Sequence, residues 1–424
     1  MEGRNLQSVA SAQVPQANAS LRGDFAWTFT GNAVYAAGQW AVLSLFAKLG
    51  GAEMLGEYAL ALAVTAPVGM LAHLNLRSVL ATDTAKMHAF GDYLAVRLPV
   101  TAAALTLIVF LAPMVSDGWV LAGAIVAAGL GQSAETVSDL CYGAMQRRDR
   151  MRQVAWSMIG RTIVSVGALG AALWITGNLL WAVGALAAGR LTVLLLYDLP
   201  AGVAGETLAR SGFPEARRIF ETALPLGLVL MLVSLNTNLP RYAIEHRLGS
   251  AELGVFAAVV SFITVGSTMA NAMGQSATAR LARHFQEGRF AEFRRLTFGM
   301  ASMMLALGVA GIAVAMFAGR WVLELLYRPE FAAYQPLLVA AMGAGTLSYL
   351  AIALGYSVTS ARIFRAQLPL FALSAAVCGV ASWLLVPGMG LYGAISALAL
   401  AGLMLIAGQW WILRAALRDG GRPR

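Results

Sequence analysis

The stretch Trp119–Arg152, WVLAGAIVAAGLGQSAETVSDLCYGAMQRRDRMR, decides the fold. It begins with an apolar run, carries the acids Glu135 and Asp139 within the same predicted helix, and ends in a group of arginines. A helix needs about 20 mostly apolar residues to cross the hydrocarbon layer of a membrane. Arginines concentrate at the cytoplasmic ends of such helices. The stretch therefore predicts a membrane span that stops at a cytoplasmic loop.

The composition extends this interpretation to the whole chain. Of its 424 residues, 59% are hydrophobic and only 12% are charged, whereas soluble domains carry roughly 25% charged residues. The net charge is +9. In a membrane protein, positive charge usually sets the orientation of the chain in the bilayer, so we do not expect nucleic acid as a partner. The two cysteines provide neither a disulfide framework nor a metal site. The sequence predicts no metal and no cofactor.

Twelve segments are long and apolar enough to span a membrane. Their predicted bounds are 24–48, 55–76, 94–115, 119–146, 153–175, 179–199, 219–240, 252–276, 294–318, 332–357, 366–386 and 391–413. With the N-terminus inside, 23 of the 30 basic residues fall on the cytoplasmic side, Arg77 and Arg97 among them. This alternation supports both the count and the orientation. We expect an all-α polytopic membrane protein of about 12 transmembrane helices with both termini cytoplasmic.

An internal repeat divides the chain into two halves. The segment LGGAEMLGEYALALAVTAP starts at Leu49 and LGSAELGVFAAVVSFITVG starts at Leu248, and at an offset of 198 residues Gly56 aligns with Gly254. Because each half holds six spans, an even number, the halves share one orientation, as in parallel-repeat transporters whose binding site lies between the halves. The predicted organisation is a cytoplasmic tail (1–23), two six-helix bundles (24–205 and 206–413) and a basic cytoplasmic tail (414–424).

Polar residues recur inside several spans at steps of three and four, which place them on one helix face. Span four has such a stripe, made of Gln132, Glu135, Asp139, Tyr142 and Gln146. Each residue taken alone is compatible with a hydrogen bond between helices. For the stripes on spans one, seven and eight we favour a polar cavity. Its predicted lining is Asn32, Tyr35, Gln39, Asn238, Thr268, Asn271 and Gln275.

The charged residues within predicted spans include Glu135, Asp139, Arg161 and Arg190. An unpaired charge near the bilayer centre costs at least about 2.5–3.5 kcal/mol, so these side chains must face protein or water. One interpretation is a structural cluster of salt bridges. The alternatives are ion coupling through Glu135 and Asp139, and an anion clamp formed by Arg161, Arg190 and Arg241, because arginine keeps its charge and matches phosphate geometry.

Two elements, AKLGGAEMLGEYALALAVTAPVGML (47–71) and NTNLPRYAIEHRLGSAELGVFAAVVSF (236–262), resemble the repeat signatures of polysaccharide-transport flippases. These are the O-antigen flippase type within the multidrug/oligosaccharidyl-lipid/polysaccharide exporter superfamily. The resemblance implies two helical bundles with spans one, two, seven and eight around a central cavity. It also implies transport of an undecaprenyl-pyrophosphate-linked oligosaccharide across the bacterial cytoplasmic membrane. A polysaccharide polymerase and glycosyltransferases are further expected partners.

Three other functions stay open at this point: a drug or metabolite exporter of the same superfamily, a membrane enzyme of glycan assembly, and a scaffold for such enzymes. No nucleotide-binding G-x-x-x-x-G-K-[ST] loop and no G-x-S-x-G nucleophile motif occurs, so we expect no enzymatic activity. An exporter of organic cations would need an acidic, aromatic cavity. Basic residues match the acidic ones within these spans, which favours an anionic cargo.

Overall fold

The computed structural model describes residues 14–82, 88–116, 118–209, 212–363 and 366–418. Most of these residues lie in long helices, which we number α1 to α12. The helices are α1 Val14–Leu45, α2 Gly51–His73, α3 Phe90–Val115, α4 Trp119–Arg147, α5 Met151–Thr176, α6 Leu179–Val193, α7 Phe213–Leu248, α8 Ser250–Gln286, α9 Phe290–Leu326, α10 Gln335–Ser360, α11 Gln367–Met389 and α12 Leu391–Arg418.

The described residues contain eleven segments that are long and apolar enough to cross a membrane, and the first of them, Ala26–Leu80, holds two helices. At about 1.5 Å per residue, its 55 residues far exceed the roughly 30 Å of a hydrocarbon layer. The chain turns at Gly51, where φ is 82°, and this turn separates α1 from α2. Twelve spans therefore result, and the predicted all-α membrane fold is confirmed.

Several helices extend beyond the predicted span bounds. The first begins at Val14, within the predicted N-terminal tail, and the last continues to Arg418, within the predicted C-terminal tail. Residues 1–13 and 419–424 of those tails lie outside the described part of the chain. Helices α7 to α9 have 36 or 37 residues each, about 55 Å, so they project past the hydrocarbon layer.

The twelve helices form two bundles. Helices α1 to α6 pack mainly on one another, with α5 against α1 and α6, and α4 against α2, α3 and α6. In the second half, α10 packs between α8, α9 and α12, while α11 packs on α7 and α12. The bundles meet chiefly where α2 lies against both α7 and α8. Helix α2 thus joins the first bundle to the second.

The two repeat glycines lie in contact at this junction. A Cβ atom added to Gly56 would stand 1.7 Å from the Ser250 carbonyl oxygen, and one added to Gly254 would stand 1.9 Å from the Ala52 carbonyl oxygen. Both partner pairs keep the offset of 198 residues found in the sequence. When two halves contact each other through the same surface, a two-fold axis relates them. The parallel repeat is therefore visible in the packing, and only glycine permits so close an approach.

Further contacts join the bundles at the end of the molecule that the arginine distribution predicts to be outer. The Lys48 ammonium donates to the Leu325 carbonyl at 2.7 Å, and the Arg328 guanidinium donates to the Lys48 carbonyl at 2.9 Å. Ser44 donates to the Leu326 carbonyl. Deeper in, the rings of Trp40 on α1 and Phe262 on α8 meet edge to face, with centroids 5.2 Å apart. The cleft between α1 and α8 is closed at this end.

Candidate functional site

The polar residues of α4 face different neighbours. Glu135 lies between α1 and α6, where it accepts a hydrogen bond from the Tyr35 hydroxyl. It also forms an ion pair with Arg190, in which Arg190 Nη1 lies 3.2 Å from Glu135 Oε2. Asp139, one turn further along, lies toward α2. Both acids are held by partners, so neither exposes an unpaired charge to lipid. The ion pair between Glu135 and Arg190 agrees with the charge neutralisation that the sequence suggested.

Arg161 has a partner that the sequence interpretation missed, Asp198. Their nearest atoms, Arg161 Nη2 and Asp198 Oδ2, are 2.9 Å apart, and the two side chains are 4% and 0% exposed. Asp198 also accepts from the Ser157 hydroxyl, and the same Arg161 nitrogen donates to the Tyr142 hydroxyl at 2.6 Å. Because every charge in this group is compensated within the protein, Arg161 forms a closed cluster inside the first bundle.

The position of Asp198 depends on a local irregularity. Helix α6 continues into a π-helical turn, Leu194–Asp198, before a last short helix. A π turn adds a residue to the helical repeat, changes the direction of the following side chains, and is frequent at functional sites. Asp198 lies within the sixth predicted span, and an acid inside a span is itself a signal for a buried partner. That signal was available from the sequence, but the partner was not.

Asp139 connects this cluster to the predicted inner end of the bundle. Its carboxylate lies 2.9 Å from His73 Nε2 and 3.2 Å from Arg77 Nη1. His73 therefore belongs to this polar group. Two guanidinium groups lie over the ring of Tyr142. The Arg77 group is 5.5 Å from the ring centroid and the Arg161 group is 5.2 Å from it. A chain of polar contacts therefore runs through the first bundle.

A small cavity lies between α1, α5 and α6 next to this chain. It offers about 20 Å³ of space, room for about one water molecule. Arg161 Nε is buried without a hydrogen-bond partner in the described part of the chain. The polar residues that line the cavity are Tyr35, Gln39, Arg161, Thr162, Ser165 and Arg190. Three predicted site residues of α1 and α6, namely Tyr35, Gln39 and Arg190, thus meet at one place.

The polar stripe of α8 holds three predicted residues. Thr268 and Gln275 are exposed, and Asn271 is half-buried and accepts from the Tyr356 hydroxyl at 3.2 Å. On α1, Asn32 is exposed as well. Measured from the contact between Trp40 and Phe262, at about 1.5 Å per residue, these residues lie at similar depths on the two antiparallel helices. Polar side chains of both helices therefore lie below the closed end.

Two other predicted residues occupy the second bundle's side of the interface. Asn238 is buried and donates to the Ser234 carbonyl at 2.8 Å, so its amide is satisfied within α7. Arg241 is half-buried and donates to the Ala59 carbonyl of α2 at 3.5 Å. It forms no ion pair among the described residues, and its Nε has no hydrogen-bond partner. Arg241 is therefore an uncompensated cation between the bundles.

Arg97 requires a correction, because the sequence interpretation counted it among the cytoplasmic loop arginines. It is fully buried in α3 and donates to the Ala72 and His73 carbonyls, each at 2.9 Å. These carbonyls belong to the last turn of α2, which a cation stabilises. Leu74 and Asn75, both with a φ of 49°, end the helix there.

Within the described ranges, no group of three or more His, Cys, Asp or Glu side chains is arranged to hold a metal ion. Cys141 and Cys378 are free and buried, in different bundles. The site is thus built from arginine, carboxylate, hydroxyl and amide groups, which bind anions and hydroxylated molecules through hydrogen bonds.

Comparison with known proteins gives relatives for this architecture. The chain is 22% identical over 395 residues to the capsular polysaccharide biosynthesis protein CapF of Staphylococcus aureus, covering 92% of this chain and 98% of the relative. An inward-facing multidrug resistance MATE family transporter of the MOP superfamily superposes with a TM-score of 0.67 at 14% identity, over 93% of this chain and 95% of its own. The chain has the MOP superfamily fold.

The lipid II flippase MurJ, in an inward closed conformation, also shares this fold, with a TM-score of 0.73 at 9% identity over 92% of this chain and 87% of that chain. No protein-family model matches the chain. The likeness to these MOP structures, together with the full-length similarity to CapF, confirms the resemblance that the repeat signatures indicated. The protein is a multi-pass membrane protein with the fold of these structures.

Proposed function

We propose that this protein is a flippase for a polyprenyl-pyrophosphate-linked oligosaccharide, which it moves across the cytoplasmic membrane for cell-surface polysaccharide synthesis. The observation that carries the proposal is Arg190, an arginine in the wall of a polar cavity, whose one ion-pair partner among the described residues is the partly exposed Glu135. A pyrophosphate needs such a cation, and guanidinium is the side chain best matched to phosphate oxygens.

The rest of the cleft suits the sugar and the lipid. Asn32, Thr268 and Gln275 present exposed amide and hydroxyl groups that can bond sugar hydroxyls. The polyprenyl chain can remain in the bilayer while the head group crosses. Arg241, the uncompensated cation at the bundle interface, is our candidate for a second phosphate contact once the bundles part. Arg161 holds the wall in place through Asp198.

Alternating access supplies the transport step. The cleft is closed at the predicted outer end by Lys48, Arg328 and the contact between Trp40 and Phe262. Separation of these contacts, with closure at the other end, would expose the same site to the opposite side. CapF is by its name a capsular polysaccharide biosynthesis protein, which supports a glycan cargo. A polymerase and glycosyltransferases of the same pathway are proposed partners.

The test is the sidedness of the lipid-linked oligosaccharide in a deletion strain. Sugars are labelled on sealed membrane vesicles of known orientation, with and without the gene. We expect the glycolipid to accumulate on the cytoplasmic face without the gene, and wild type to restore it to the outer face. Arg190→Ala is expected to reduce rescue by at least about tenfold, since a charged hydrogen bond contributes about 1.5–3 kcal/mol. Arg217→Ala is the matched control, because Arg217 is 68% exposed and pairs only with its neighbour Glu221.

The other functions give different results in the same experiment. Normal sidedness with loss of polymer would overturn the flippase and favour an enzyme or a scaffold. Normal sidedness with normal polymer would favour export of a small molecule. If Arg190→Ala rescues the deletion strain as well as Arg217→Ala does, Arg190 is not part of the binding site.

A further inference from the structure

The two ion pairs of the first bundle differ in access. Arg161 and Asp198 are 4% and 0% exposed, and both oxygens of Asp198 have partners within the bundle. Arg190 and Glu135 are 11% and 24% exposed, and a single contact of 3.2 Å joins them. Arg161 is therefore fixed, whereas Arg190 can exchange one anionic partner for another. A phosphate that binds Arg190 must therefore displace the carboxylate of Glu135.

The surroundings of Glu135 decide what happens when it loses Arg190. The charged and titratable groups that interact electrostatically with it come from five helices: Tyr35 of α1, Tyr58 of α2, Asp139 and Tyr142 of α4, Arg161 of α5, and Arg190 of α6. Arg161 is neutralised by Asp198, and Asp139 is held by His73 and Arg77. Arg190 is thus the cation that balances Glu135.

We propose that Glu135 is a built-in competitor of the cargo: it occupies Arg190 in the empty protein, is displaced by the cargo's pyrophosphate, and then takes up one proton. This inference rests on the proposed function, since it names how that same site is regulated. The bond between Arg190 and Glu135 Oε2 breaks, one forms between Arg190 and a phosphate oxygen, and a proton from water binds the freed carboxylate. Tyr35 keeps its hydrogen bond to the other carboxylate oxygen, Oε1.

Protonation follows because a displaced carboxylate inside a membrane span would be an uncompensated charge, and such a group becomes neutral instead. The linkage is reciprocal, so protonation of Glu135 tightens cargo binding by the same factor by which the cargo favours protonation. In the empty protein the ion pair leaves the site neutral, and the small cavity holds about one water. Competition by Glu135 thus keeps the unloaded site from retaining other anions.

The experiment measures the dissociation constant of a C10-prenyl pyrophosphoryl sugar for the purified full-length protein between pH 5 and pH 8. The pyrophosphate diester of this probe keeps its two charges throughout that range. For wild type we expect weaker binding as the pH rises, by up to tenfold per pH unit where one proton is linked. Glu135→Gln, which cannot ionise, is expected to bind more tightly than wild type at pH 8 and with no such slope.

Two further variants separate this inference from the proposed function. Glu221→Gln removes an exposed carboxylate, 56% exposed, and should keep the wild-type slope. Arg190→Ala should lose at least about tenfold in affinity at every pH. If Arg190→Ala binds like wild type, or if no protein binds the probe, the anion site and the competitor fail together. If Arg190→Ala loses binding while Glu135→Gln keeps the wild-type affinity and slope, the competitor alone is wrong. The helix content of each variant is checked by circular dichroism.

Discussion

The two bundles have the same fold but different interiors. The first holds three separate ion pairs, Glu135 with Arg190, Asp198 with Arg161, and Asp139 with Arg77. In the second, α10 and α11 contain no Asp, Glu, Lys or Arg at all. Its helices are joined instead by neutral hydrogen bonds, from Tyr349 to the Ile263 carbonyl at 3.2 Å and between Thr297 and Ser357 at 3.1 Å, among others. The repeat thus preserves the backbone arrangement, while the buried ion pairs of the described residues lie in the first half.

This difference suggests a division of roles. Neutral hydrogen bonds between membrane helices contribute modestly, roughly 0.6 kcal/mol on average, and need no compensation when the helices shift. Buried charges must stay paired, because removal of one partner leaves a costly ion behind. The second bundle can therefore move as a body with a neutral core. The first carries the groups that recognise an anion, and it needs a closed network to hold them.

The largest expected effect on the balance between the open and closed states concerns the one place where the halves are alike. Gly56→Ala and Gly254→Ala each add a Cβ within 2 Å of a carbonyl oxygen of the other bundle. Overpacking of this kind costs about 1–3 kcal/mol, and here it arises only while the outer end is closed. We expect both variants to favour the open state by about tenfold to a hundredfold, and to similar extents.

A reporter cysteine can measure this opening. Thr264→Cys places a thiol on the exposed face of α8 just below the contact at Phe262, while the native cysteines are buried. Labelling of intact cells with a membrane-impermeant maleimide should rise in both glycine variants. Gly160→Ala and Gly343→Ala, whose added Cβ atoms meet nothing within 4 Å, are the controls. Unequal responses at Gly56 and Gly254 would contradict the two-fold contact.

The next effect tests the contrast between charged and neutral interiors. Asp198→Ala leaves Arg161 buried without its counter-ion, which should lower the free energy of unfolding by about 3–5 kcal/mol. Tyr349→Phe removes a buried hydrogen bond of the second bundle and should lower it by about 1 kcal/mol. Thermal unfolding in detergent compares the two. The double change Asp198→Leu with Arg161→Met should recover most of the stability that Asp198→Ala loses. Equal losses for Asp198→Ala and Tyr349→Phe would contradict the difference between a charged and a neutral interior.

The smallest effect compares two arginines at matching repeat positions, Arg97 and Arg295. Arg97 is buried and holds the last carbonyls of α2, whereas Arg295 is exposed on α9. Arg97→Ala should cost about 2 kcal/mol of stability, because two hydrogen bonds from a charged donor are lost. Arg295→Ala should change it by less than about 0.5 kcal/mol. The same unfolding measurement checks both, and a loss at Arg295 as large as at Arg97 would show that both halves use this cap.

Much of the site could be located in the sequence, but its pairing could not. Glu135, Arg161 and Arg190 stand out because charges inside apolar spans need partners. Which acid pairs with which arginine depends on the rotation of α5 and α6 about their axes, and on the π turn that directs Asp198 inward. Neither feature follows from the spacing of residues. His73 was likewise unassigned, because its partner Asp139 lies on another helix.

The sequence by itself determined the membrane fold, the number of spans and the repeat, because the bilayer requires long apolar helices and a few small residues mark their close contacts. It also determined that buried charges exist and need compensation. The tertiary structure alone decided that Arg161 pairs with the fully buried Asp198 while Arg190 pairs with the partly exposed Glu135. It also decided that Arg97 is a buried cap rather than a loop cation. The physical reason is that an ion pair depends on distances of a few ångströms between helices, which helix packing sets and which spacing along one helix does not specify.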